Sequence, residues 1–554
     1  MAEYPWYKSY DAGVPHSIAP YPDTTIVDIF AQTAKEMPAH RFIIYKDRDI
    51  SYAEGMQITD TLAAALQASG VKKGDRVATM LLNCPQAVVA MLAAMKLGAI
   101  AVPLNPLYSE WELEHALNTS GTEVIVVWGL LYPSLKKLQP RTKLRLIIAT
   151  ELEEYMPAGT GVKRNAVLEG DDIYWMDFLK KYEDSKPEAA AISAGETSLL
   201  LFSGGTTGAP KAAMLSHKNV LSIGLQTSAW KLSSEDPTQD VAMLLMPIFH
   251  AFGCNGVMFN AMALRSPLAV VPNPRDVDDV IDVIRKTRPA FFPAVPTLYV
   301  ALLEHHEVKA GKVDFSSMRF CLSGAIPLMV ETKQRFEQMT GGKIIEAYGM
   351  TETTVVVTLV PYQGKWKEGS VGLPLPDVVV RFVDVADPGK EVPYGQEGEL
   401  VVSGPQIMQG YWNNPEGTAE MLKDGWLYTG DIGYMDEDGY IFLTSRKKDL
   451  IKPSGNQVWP REVEEIISTH PAVAEVGVAG IPDPYQIEAV KAWVVLRPGE
   501  NVEAEELKVY CRNKLTAYKV PKFIEFRPAL PKTLVGKILR RVLQEEERTK
   551  QKST

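Results

Sequence analysis

The segment Ser203-Gly204-Gly205-Thr206-Thr207-Gly208-Ala209-Pro210-Lys211 concentrates groups suited to holding phosphate. Its glycines let the backbone turn and bring N–H groups toward an anion, Ser203, Thr206 and Thr207 add hydroxyl donors, and Lys211 adds charge. The ordinary P-loop is excluded, because Pro210 precedes Lys211 and Ala212 follows it. A serine hydrolase is excluded by the absence of G-x-S-x-G. Further along, Met246-Pro247-Ile248-Phe249-His250-Ala251-Phe252-Gly253 places a histidine in an apolar stretch, where such a residue is more often part of a core than a ligand. Tyr348-Gly349-Met350-Thr351-Glu352 offers a hydroxyl and a carboxylate after a glycine turn, suited to a phosphate oxygen and a magnesium ion. Tyr428-Thr429-Gly430-Asp431 offers a carboxylate for ribose hydroxyls.

The elements that must position these groups alternate. Leu199 to Phe202 reads as a covered strand running into the phosphate loop. Before it, a helix is expected from Ile26 to Met37 and another opened by Ser51-Tyr52-Ala53-Glu54 as a capping box, followed by strands at 76–82, 99–103, 124–128 and 144–149. Alternation of this kind predicts an α/β fold with a mostly parallel sheet. Residues 151–196, acidic and rich in Pro, Gly and Ala, read as an exposed connection, so the phosphate loop is expected to open a second α/β subdomain. Residues 371–403 read as a β-rich part. The charged run Ser445 to Lys452, followed by Pro453 and Gly455, reads as a solvated joint before a compact C-terminal unit.

At 554 residues the chain calls for several cores. A net charge of -10, from 58 basic and 68 acidic side chains, argues against a nucleic-acid partner. Cys84, Cys254, Cys321 and Cys511 lie far apart without a CxxC pair, which fits reduced thiols in a cytoplasmic protein and no zinc site or disulfide framework. The start of the chain lacks the basic and apolar regions of a signal peptide, and the apolar run 88–104 is broken by Lys96, Gly98 and Pro103, so no membrane span is expected. The patch from Leu135 to Arg145 leaves peripheral contact with an anionic bilayer open.

Taken in order, Ser203 to Lys211, Phe249 to Gly253, Ser323 to Pro327, Tyr348 to Glu352, Tyr428 to Asp431 and Pro531 to Lys537 resemble the motifs of the adenylate-forming, or AMP-binding, superfamily of acyl-CoA synthetases. Within it the chain looks most like bacterial long-chain fatty acid CoA ligases, which Gly204-Gly205-Thr206-Thr207-Gly208, Asn105-Pro106-Leu107-Tyr108, Gly410-Tyr411-Trp412-Asn413 and Pro460-Arg461-Glu462-Val463-Glu464 resemble.

The resemblance implies a large N-terminal domain, 1–446, of two α/β subdomains plus a β-rich subdomain, and a small mobile α+β domain, 447–554. It implies ATP, Mg2+ and coenzyme A as reactants, an acyl-adenylate intermediate and release of AMP and pyrophosphate. By the same resemblance Lys537, Thr351 and His250 are catalytic. Ser203, Gly204, Gly205, Thr206, Thr207, Gly208 and Lys211 hold phosphates. Gly324, Ala325, Glu346, Ala347 and Tyr348 take the adenine, Asp431 and Arg446 the ribose, and Glu352 with Thr206 the metal. His250, Cys254, Met258, Ala325 and Gly349 line the acyl pocket, with Cys254 where some relatives carry an aromatic gate. Lys448 is the hinge, and Lys452, Gly455 and Asn456 face coenzyme A. An aromatic, cyclic or medium-chain acid is the alternative substrate, and a non-catalytic nucleotide-binding protein the alternative of another class. A homodimer is left open. The chain departs from the pattern at Ala212, at Ser445 and at Ile487, which stands where many relatives have glycine.

Overall fold

The computed structural model describes residues 4–157, 161–203, 210–324, 328–455, 458–533 and 536–552. An eight-stranded sheet runs Gly410–Tyr411, Lys211–Ser216, Thr197–Ser203, Ile100–Pro103, Arg76–Met80, Val124–Trp128, Leu146–Thr150, Ile173–Tyr174. Its strands from Ile100–Pro103 to Ile173–Tyr174 pair in parallel, whereas the two strands flanking the phosphate loop pair antiparallel. A nine-stranded sheet has Lys343–Tyr348, Phe320–Ser323, Phe291–Ala294, Ala242–Leu244, Leu268–Val270 and Arg41–Tyr45 as parallel neighbours at its centre. These strands are short and covered on both faces, which is why they read as apolar runs and not as alternation.

Two expectations are corrected here. The segment leading into the phosphate loop does not open the second subdomain: Leu199 pairs with Ala101, so the strand Thr197–Ser203 joins the sheet begun by Arg76–Met80, while Arg41–Tyr45 crosses to the other sheet. Residues 151–196 are not simply an exposed connection. Tyr155, Trp175 and Phe178 are buried, and Ile173–Tyr174 adds a strand at the sheet edge. The bulk of these aromatics outweighs the acidic composition around them.

A five-stranded antiparallel sheet built on Val379–Val383, Gly398–Ser403, Trp426–Met435 and Ile441–Arg446 forms the β-rich part. Beyond it, Val473–Asp483, Ile487–Leu496 and Phe523–Phe526 make a three-stranded sheet covered by the helices Pro460–Ser468 and Ala504–Arg512. Apolar side chains from Ile451 onward pack among themselves, separately from the cores that end at Ile441. Helix starts follow their local signals. Thr25 and Asp28 form a complete capping box, whereas at Ser51 only half of it is made, Ser51 Oγ accepting from Glu54 N–H. No helix among the described residues is long and apolar enough to cross a membrane.

Candidate active site

The C-terminal ends of the parallel strands, where open α/β sheets place ligands, converge on one cleft. His250 sits in the turn between the strand Ala242–Leu244 and a π-helix, Phe252–Phe259. Buried Asn83 sets that turn: its amide donates to the carbonyls of Leu244, Met246 and Val271, and its Oδ1 accepts from Ile248 N–H at 2.8 Å. Gly253 is required by close approach, since a Cβ there would lie 2.2 Å from the Pro247 carbonyl. The Phe252 N–H donates to His250 Nδ1 at 3.2 Å, which leaves the ring proton on Nε2. Burial, reinforced by the Lys537 charge, pushes the imidazole down to about 4, so it is neutral and a donor at physiological pH.

Lys537 is thus in the cleft, brought there from the last part of the chain. Burial, then Arg446, lower its ammonium to about 8, against the opposing pull of Asp431, and Lys448 and Asp449 lie within the same electrostatic reach. Asp431 joins three elements: its Oδ1 receives Arg446 Nε at 2.8 Å and its Oδ2 the Tyr348 hydroxyl at 2.6 Å. The strand pairing sets Asp431 directly opposite Arg446, and the Asp431 charge raises the Arg446 guanidinium further. Glu346 lies on the same strand as Tyr348; burial raises its carboxyl, and Trp366 Nε1 donates to it at 3.3 Å. Ser323 ends the neighbouring strand before Gly324, and among the described residues its buried hydroxyl has no partner.

Thr351 and Glu352 follow in a short 3-10 turn. Gly349 lets this turn pack, because a Cβ there would stand 2.0 Å from the Val355 carbonyl. Thr354 closes it at φ +64, a left-handed backbone that costs a β-branched residue energy. It is held by Thr354 Oγ1 donating to the Gln406 carbonyl at 2.6 Å and by Asn255 of the π-helix donating to the Thr354 carbonyl at 2.9 Å. Glu352 is buried, and its Oε1 accepts the Tyr411 hydroxyl at 2.6 Å. The Lys211 ammonium lies 5.1 Å from the Tyr411 ring centroid, so Tyr411 links the phosphate-loop lysine to the Glu352 carboxylate. Ser203 Oγ donates to the Lys211 carbonyl at 3.3 Å across the base of that loop.

His250, Tyr348, Asp431, Arg446, Lys448 and Lys537 are therefore gathered by geometry and electrostatics, with Ser323, Glu346 and Ala347 on adjoining strands and Gly324 directly after Ser323. Cys254 and Met258 are wholly buried in the π-helix. Lys452 and Gly455 belong to a different feature, a turn tied to the small domain's hairpin by Lys452 N–H to Glu488 at 2.6 Å and Ser454 N–H to the Gln486 carbonyl at 2.9 Å. Gly204, Gly205, Thr206, Thr207, Gly208, Ala325 and Asn456 lie outside the described residues. Among the described residues no group of three or more His, Cys, Asp or Glu could hold a metal. The lone Glu352 suits magnesium, which takes most of its oxygens from phosphates and water.

The AMP-binding enzyme family matches residues 30–412, and the AMP-binding enzyme C-terminal domain matches residues 462–537. The chain belongs to the AMP-binding enzyme family. Among curated proteins, this AMP-binding enzyme is 39% identical over 558 residues to a long-chain-fatty-acid–CoA ligase of Bacillus subtilis, covering 99% of both chains. It is 33% identical to a feruloyl-CoA synthase of an Amycolatopsis species, covering 89% of this chain and 92% of that one. Among solved structures it resembles ATP-bound MatB from Rhodopseudomonas palustris, with a TM-score of 0.82 at 29% identity, covering 94% of this chain and 99% of that one. The apo form of the same protein gives a TM-score of 0.72.

Sequence reasoning missed Asn83, Asn255 and Tyr411. Only Tyr411 carried a signal, as part of Gly410-Tyr411-Trp412-Asn413; the asparagines act through backbone groups far away in sequence.

Proposed function

We propose that this AMP-binding enzyme is an ATP-dependent acid–CoA ligase that activates a long-chain fatty acid through an acyl-adenylate and passes the acyl group to coenzyme A, releasing AMP and pyrophosphate. The observation that carries the reading is buried Lys537 within electrostatic reach of His250 and of the Asp431–Arg446 pair. The fatty acid is favoured by the likeness to long-chain ligases over the full chain.

In the first step a carboxylate must attack an α-phosphate against mutual repulsion, so fixed cations and donors beside both reactants lower the barrier. Lys537 bridges the carboxylate and the α-phosphate, His250 Nε2–H orients the carboxylate, and Thr351 contacts the α-phosphate. Ser203 and Lys211 serve the outer phosphates, Gly324, Glu346, Ala347 and Tyr348 the adenine, and Asp431 with Arg446 the ribose. Glu352 would hold magnesium, which when bound screens the phosphate charge. The thioester step needs Lys537 withdrawn and a thiol admitted. Residues 447–554 therefore rotate as a unit about Lys448 relative to 1–446, and the Lys452–Gly455 turn comes to face coenzyme A.

An aromatic acid is the second reading, favoured by the likeness to feruloyl-CoA synthase and by Phe252. Its ring lies between Gly256 and Gly324, within 3.2 and 3.7 Å of the Cβ positions there. Peripheral membrane contact through the 135–145 patch loses force, because Leu135 and Leu138 are buried and Lys137 and Arg141 pair with Glu110. Pyrophosphate and AMP release, measured with ATP, magnesium and acids from acetate to oleate plus benzoate and ferulate, with and without coenzyme A, tests the reading. CoA-dependent turnover highest on long chains is expected. Turnover on aromatic acids alone would replace the substrate, and silence on every acid would leave a nucleotide-binding protein.

A further inference from the structure

In the turn Pro453–Gly455, Ser454 holds φ 51 and ψ 33, a left-handed backbone that favours glycine, and its exposed side chain gains nothing from burial to offset the strain. The turn is fixed from outside. Ile451 and Val458 close its base by exchanging two backbone hydrogen bonds of 2.9 Å. Its own N–H groups reach a second turn, the tip of the hairpin between Val473–Asp483 and Ile487–Leu496. Ser454 N–H donates to the Gln486 carbonyl at 2.9 Å, and Lys452 N–H donates to Glu488 Oε2 at 2.6 Å.

That tip is firmly built. Buried Asp483 accepts from the N–H groups of Tyr485 and Gln486 at 3.0 and 2.9 Å, and its other oxygen pairs with Lys522 at 2.5 Å. The chain leaves the loop at Ile487, whose φ of 68 puts a β-branched residue where hairpins of this kind take glycine. Glu488 follows, half-buried, and among the described residues it pairs with no cation. Its side chain folds back over Gly480 of the partner strand, where a Cβ would stand 2.2 Å from Glu488 Oε1. Gly480 is thus the opening through which the carboxylate reaches the Lys452 N–H.

A backbone N–H bonded to a carboxylate at 2.6 Å is of the strong, charge-assisted kind. The small domain has no need of it for its own core, which packs from Ile451 through Val478 to Val494 without Glu488 or Ser454. On the ligase reading above, in which the Lys452–Gly455 turn comes to face coenzyme A, we propose that Glu488 is a positioning residue for thioester formation. It holds that turn, through the Lys452 N–H, in the shape presented to the cleft, and touches no reactant itself.

The test measures two half-reactions separately, ATP–pyrophosphate exchange with oleate and single-turnover acyl transfer from preformed oleoyl-adenylate to increasing coenzyme A. Glu488→Ala should lower the limiting rate of transfer roughly tenfold, the loss of one charged hydrogen bond, with the half-saturating coenzyme A and the exchange rate unchanged. Glu488→Gln keeps an acceptor oxygen and should restore most of the rate. Gly480→Ala leaves the carboxylate but displaces it, so it should match Glu488→Ala; combined with Glu488→Ala it should slow transfer no further, because the clash is with the Glu488 side chain. Equal slowing of exchange and transfer would make Glu488 a structural residue of the small domain. A change in half-saturation alone would make it a contact to coenzyme A, and unchanged transfer, or no difference between the Gln and Ala variants, would remove the clamp; each of these overturns the proposal. Loss of the ligase reading shows separately, as neither exchange nor transfer in the unmodified enzyme.

Discussion

On the proposed mechanism Lys537 works as a cation, yet burial and Arg446 favour its neutral form and hold it at about 8 in the free enzyme. The useful form is full below that value and lost as pH rises through it, so kcat/KM for ATP–pyrophosphate exchange should fall about tenfold per pH unit on the alkaline side. A bound triphosphate favours the ammonium, so the matching limb in kcat lies at higher pH. Lys537→Arg keeps the charge at every accessible pH and should flatten the profile, whatever it does to the rate. A wild-type kcat/KM constant from about pH 7 to pH 10 would exclude Lys537 as the titrating group. Tyr411 supplies a second residue-level expectation. Its hydroxyl is the donor on buried Glu352, and a hydrogen bond to a charge is worth about 1.5–3 kcal/mol. Tyr411→Phe should slow exchange by roughly tenfold or more and raise the magnesium concentration needed for half-maximal rate. An unchanged magnesium dependence would detach Tyr411 from the metal.

The turn from Gly349 to Thr354 shows how elements set these residues. Thr354 holds a left-handed backbone only because Gln406 and Asn255 tie it from two sides, and Gly349 is where the turn meets the Val355 carbonyl. Gly349→Ala must push the turn outward. A stability loss of about 1–3 kcal/mol in urea unfolding is expected from overpacking, with a larger loss in exchange because Thr351 and Glu352 move with the turn. Equal loss of both would mean that the turn only supports the fold. The glycines, hydroxyls and carboxylates of this turn were legible in the sequence because each motif is local, and the strands beside it were legible from apolar runs. Which sheet each strand joins was not legible: nothing in the periodicity of Arg41–Tyr45 says that it pairs with Leu268–Val270, or that Thr197–Ser203 returns to Ile100–Pro103. The same holds for Asn83, whose bonds to Leu244, Met246 and Val271 depend on a packing that no spacing announces.

Across the whole molecule the chain is held in the arrangement that buries Lys537 within the electrostatic reach of Arg446 and Asp431. A contact beyond the hinge proposed at Lys448 secures it: Arg461 donates to the Leu443 carbonyl at 2.7 Å. A hydrogen bond from a charged group is worth about 1.5–3 kcal/mol. Arg461→Ala should therefore weaken this arrangement against the one that makes thioester: slower exchange, with the CoA-dependent step from preformed acyl-adenylate unchanged or faster. On the proposed rotation Gly455→Leu should do the reverse, sparing exchange and abolishing thioester formation, since that rotation would bring the Pro453–Gly455 turn to face the cleft. Single-turnover assays of the two half-reactions separate these signatures. Opposite effects in the two variants require a domain that alternates between two positions on one site, whereas parallel losses in both would mean that a single arrangement serves both steps.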